Sequence, residues 1–65
     1  MTEFEKQYLL NLVKADYRLA NIAYQEAIQP DNEMQFPQIL TLAKQRTARE
    51  NLVHIVKEYL RRQNK

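Results

Sequence analysis

The opening half of the chain carries two apolar stripes where a surface helix needs one. From Tyr8 to Ile22, the residues Tyr8, Leu12, Ala15, Leu19 and Ile22 recur at alternating spacings of four and three. Leu10, Val13, Tyr17, Ala20, Tyr24 and Ala27 do the same. At roughly 100° per residue the two sets lie well apart around one helix. A helix with a single stripe buries it on the rest of its own domain, and a helix with two is buried from two directions. One cover can be the remainder of this chain, and the other has to come from outside it.

The helix itself is well specified. Thr2-Glu3-Phe4-Glu5 fits a capping box, in which the threonine hydroxyl and the glutamate carboxylate satisfy each other's backbone N–H groups. Glu3 and Glu5 also place negative charge at the positive end of the helix dipole. No breaker follows until Pro30, which lacks an N–H and disfavours helical geometry at Gln29. A helix over about 2–29 is therefore expected. Pro30-Asp31-Asn32 has turn chemistry, and Met34 and Phe36 are expected to fold back over the end of the helices. Pro37 suits the first position of a second helix, running to about Arg62.

That second stretch has a phase conflict. Phe36, Ile39, Leu40 and Ala43 lie on one side, whereas Leu52, Val53, Val56, Tyr59 and Leu60 lie nearly half a turn away. A break near Thr47 would resolve it, since Thr47-Ala48-Arg49-Glu50 is another possible capping box, and it would give three helices. A continuous helix resolves it differently, with the seam Ile39, Leu42, Arg46, Arg49, Val53, Val56 and Leu60 interrupted by two arginines. Nothing from Ala43 to Asn51 breaks a helix, so continuity is the expectation. The fold class is then all-α: one domain over residues 1–65, an antiparallel hairpin of helices at about 2–29 and 37–62. Folding back about residue 33 sets Asp16 near Arg46 or Arg49.

A chain of 65 residues usually needs a staple. Cysteine is absent, which removes disulfides and thiolate metal sites. Oligomerisation remains, and two hairpins packed as a four-helix bundle would cover the second stripe. Leu10, Val13, Tyr17, Ala20 and Tyr24 are taken as that protein interface, the tyrosines suiting half-buried contact positions. The two stripes could exchange partners without altering this reasoning.

Chemistry is sparse. Serine, cysteine and glycine are missing, which leaves no activated nucleophile of the usual kind and no phosphate-binding loop. Glu50, His54 and Glu58 share one helix face, but the chain has no second histidine to complete a metal site. No catalytic residue, metal site or cofactor is expected. Apolar runs do not exceed three residues, so no membrane span is expected and the cytoplasm is the expected compartment.

Charge is uneven along the chain. Residues 1–36 hold six acids and three bases, and residues 37–65 hold seven bases and two acids. An acidic helix beside a basic one accounts for this without a partner. The competing reading is a DNA-binding regulator with a helix-turn-helix-like second half, in which Arg46, Arg49, Lys57, Arg61 and Arg62 contact nucleic acid or another acidic partner. The leading expectation is a small homodimeric interaction module, an adaptor or inhibitor of another protein. The small helical regulators of bacteria and phages share this hairpin plan in size and shape only.

Overall fold

The computed structural model describes residues 1–63 and contains two helices, α1 (Glu3–Ala27) and α2 (Phe36–Arg62). They pack antiparallel as a hairpin measuring 49 × 16 × 12 Å. The chain is all-α among the described residues, as its periodicity predicts.

The start of α1 is the expected capping box. Thr2 Oγ1 accepts from the Glu5 N–H at 3.1 Å, and Glu5 Oε1 accepts from the Thr2 N–H at 2.9 Å. The helix ends at Ala27, slightly before the position Pro30 alone implies, with Ile28 as its cap. Glycine usually serves at such an end because it adopts positive φ without strain. Here no described residue has positive φ. Side-chain amides help to satisfy the last carbonyls instead: Gln29 Nε2 donates to the Gln25 carbonyl at 3.3 Å, and the Glu26 carbonyl accepts from both the Gln29 N–H at 3.3 Å and Asn32 Nδ2 at 3.1 Å. Asn32 Oδ1 then accepts from the Met34 N–H at 2.9 Å, so one side chain both closes α1 and sets the path of the connection.

α2 begins one residue earlier than expected, at Phe36. Gln38 Oε1 reaches back to the Gln35 N–H at 3.2 Å, and Pro37 occupies the second position of the helix, where its missing N–H still costs nothing. Met34 is half-buried, as expected, but Phe36 is not: it stands exposed at the start of α2. α2 runs unbroken through Thr47, so the three-helix alternative is excluded. The seam through the two arginines is the one that forms. Its phase conflict is resolved by leaving Phe36 and Leu40 exposed on one flank and Leu52 and Tyr59 exposed on another.

The core is a single line of contact. Val13 and Ala27 from α1 and Val53 and Leu60 from α2 are buried, and among the described residues no side chain is buried completely. Ala27, at 2% exposure, is the most enclosed of them and lets the helices approach closely near the connection. Val53→Asp would place a carboxylate without a partner in this line, at a cost of several kcal/mol. It is expected to abolish the helical circular dichroism signal. Ile55→Asp, two residues on at a position 63% exposed, is expected to leave that signal intact.

Candidate functional site

Two surfaces follow from this packing, an inner face of α1 against α2 and an outer face in solvent. The structure assigns the stripes the opposite way from the expectation. Leu10, Val13, Tyr17, Ala20 and Tyr24 make up the inner face, buried or half-buried against α2. Leu10 lies beside Lys57 and Leu60, and Tyr17 beside Val53 and His54. These five residues hold the hairpin together and are not free to bind a second chain. The outer stripe is Tyr8, Leu12, Ala15, Leu19 and Ile22, extended by Phe4, and all of it is exposed, Leu19 to 69%.

The reason for the exchange lies in the arginines of α2. Arg46 projects into the middle of the seam and needs a polar or aromatic partner there. Its Nε donates to Asn21 Oδ1 at 2.8 Å, and its guanidinium lies 5.3 Å from the centroid of the Tyr24 ring. Arg49 Nε meets Asp16 Oδ2 at 3.0 Å, the cross-hairpin pair that folding about residue 33 anticipates. The inner stripe offers Tyr24 and is bordered by Asn21 and Asp16. The outer stripe offers Tyr8 and aliphatic side chains. Sequence reasoning missed Asn21 altogether; the signal that finds it is the level of Arg46 on the opposite helix.

The five candidate bases therefore do not form one patch. Arg46 and Arg49 are half-buried in the seam and engaged by α1. Lys57 and Arg61 flank Leu10 and Leu60 at the open end of the hairpin. Arg61 and Arg62 share one carboxylate, with Arg61 Nε donating to Glu58 Oε2 at 3.1 Å and Arg62 Nε lying 3.4 Å from Glu58 Oε1. Among the described residues no three His, Cys, Asp or Glu side chains converge where they could hold a metal ion, and His54 is an exposed residue beside Lys14, Tyr17 and Lys57. No helix among them is long and apolar enough to cross a membrane.

A second apolar area lies on α2, where Leu52, Ile55 and Tyr59 are exposed. No protein-family model, no curated protein and no solved structure matches the chain.

Two expectations follow from the seam and its charged end. Arg46→Ala removes a charge-assisted hydrogen bond and a ring contact, and should cost about 1–2 kcal/mol in urea unfolding. Arg49→Ala removes a pair whose side chains are partly in solvent, and should cost less than about 1 kcal/mol, falling further with added salt.

The hydrogen bond from Arg61 holds the Glu58 carboxyl below the usual glutamate range, with the charge of Arg61 and a hydrogen bond from Arg62 adding to it. A depressed carboxylate stabilises the fold at pH above its unfolded-state value. That contribution disappears as pH falls through the lower folded-state value. In an NMR titration the Glu58 midpoint should lie below that of a free glutamate, and Arg61→Gln should move it upward.

Proposed function

We propose that the chain is a protein–protein interaction module, an adaptor or regulator of another protein that works in the cytoplasm as a homodimer and carries out no reaction of its own. The observation that carries this reading is the outer stripe of α1. Phe4, Tyr8, Leu12, Leu19 and Ile22 remain exposed after the hairpin has formed. Soluble monomers seldom leave so long a contiguous apolar face in water. Each such side chain gains about 1.5–3 kcal/mol on full burial, so covering the stripe would add substantially to what the narrow seam supplies. The residue inventory supports a non-enzymatic role, because serine and cysteine nucleophiles and glycine-rich phosphate loops are all missing from the sequence.

Association tests the reading directly. Sedimentation velocity at micromolar concentration should give a dimer for the wild type. Leu19→Glu should give a helical monomer, since Leu19 makes its contribution outside the hairpin. A wild type that stays monomeric and fully helical at every concentration, unchanged by Leu19→Glu, would overturn the homodimer.

A further inference from the structure

We propose that the outer stripe of α1 is the seam of an antiparallel, twofold helix pair with a second copy of this chain, centred midway between Leu12 and Ala15. The inference rests on the interaction reading above and gives its dimer a face and an orientation. Tyr8, Leu12, Ala15, Leu19 and Ile22 follow the alternation of four and three that marks the a and d positions of a heptad seam. All five are exposed, and α2 covers the other side of α1, so nothing within the chain blocks the approach of another helix.

The order of sizes along the stripe favours a reversed copy. In the antiparallel pair Leu12 meets the partner's Ala15, and Tyr8 meets the partner's Leu19. The Leu12 layer then joins a large side chain to a small one and the Tyr8 layer a ring to an aliphatic group, while Ile22 reaches the first turn of the other α1 at the level of Glu5. In a parallel pair Ala15 would face the partner's Ala15, leaving a void at the centre of the seam.

Charge points the same way. No charged residue sits within the stripe from Tyr8 to Ile22, whereas Arg18 and Asp16 flank it on its two sides and Glu26 continues it; all three are exposed. A parallel pair would set Glu26, on the line of the stripe, beside the partner's Glu26. The antiparallel pair separates the two glutamates by roughly 37 Å along the axis. It also opposes the helix dipoles. The patch of Leu52, Ile55 and Tyr59 on α2 repeats the same spacing of three and four but covers less of its helix. The assembly is thus a four-helix arrangement with the two α1 helices inside and the two α2 helices outside.

Because the sequence contains no cysteine, introduced thiols report without background. Full-length Tyr8→Cys and Leu19→Cys variants, each verified as helical by circular dichroism, are mixed and equilibrated in a glutathione buffer. The expected product is a disulfide joining position 8 of one copy to position 19 of the other, exceeding either same-site product about tenfold. Same-site pairing is excluded in the proposed dimer because the two copies of position 8 stand roughly 16 Å apart along the axis. Leu12→Cys mixed with Ala15→Cys repeats the test at the centre of the seam. Predominant same-site disulfides would overturn the orientation. A sedimenting dimer that forms no disulfide from either mixture would overturn the face while leaving the interaction reading intact. A monomer would overturn both.

Discussion

Two helices can touch along one line only, and everything else in this protein depends on that. A hairpin has no third element to cover its flanks, so among the described residues four apolar ones reach burial and many large ones remain outside. The line is also interrupted at its middle, where α2 presents Arg46 and Arg49 instead of aliphatic side chains. Burying a guanidinium without partners would cost more than the seam gains. Asn21, Tyr24 and Asp16 meet that requirement from the facing helix. The long arginine stems supply apolar packing between the two ends while the charged heads are satisfied.

These polar contacts also fix register. An aliphatic seam of Leu and Val tolerates sliding by a turn, because one methyl-rich layer resembles the next. Arg46 has one position from which it reaches both the Asn21 amide and the Tyr24 ring. The connection imposes the same register from the other side. Asn32 ties itself to the Glu26 carbonyl and to the Met34 N–H, fixing where α1 stops and how the chain turns without any glycine. Gln38 reaches back to the Gln35 N–H and starts α2 from a point already set.

Much of this was legible in the residues. The Thr2–Glu5 box, the two long helices and the seam of α2 all follow from local rules that tertiary packing does not override. The Asp16–Arg49 pair follows from helix length and the position of the turn. What periodicity cannot decide is which of two equally regular stripes faces inward, since both satisfy the same spacing. The deciding information was non-local: a seam with an arginine in it selects the stripe carrying Tyr24 and bordered by Asn21. Phe36 was misplaced for a related reason. It shares a flank with Leu40, and when α2 continues straight through Thr47 that flank turns away from α1.

The two faces of α1 divide two tasks that larger proteins assign to separate elements. The inner face trades apolar area for specificity: polar and aromatic groups define one register and contribute modest stability. The outer face has no charge on its line between Tyr8 and Ile22 and stays in solvent, with large and small side chains alternating around Ala15. This division explains why the arginines belong to α2. Placed on the outer stripe, they would have to find partners on another chain, and each subunit would carry unpaired charge on its contact face until it met one. Placed in the hairpin, they are satisfied as soon as the chain folds back on itself, and the face left over is uniformly apolar. A helix so arranged is fixed in orientation by its own chain and keeps its second apolar face in solvent.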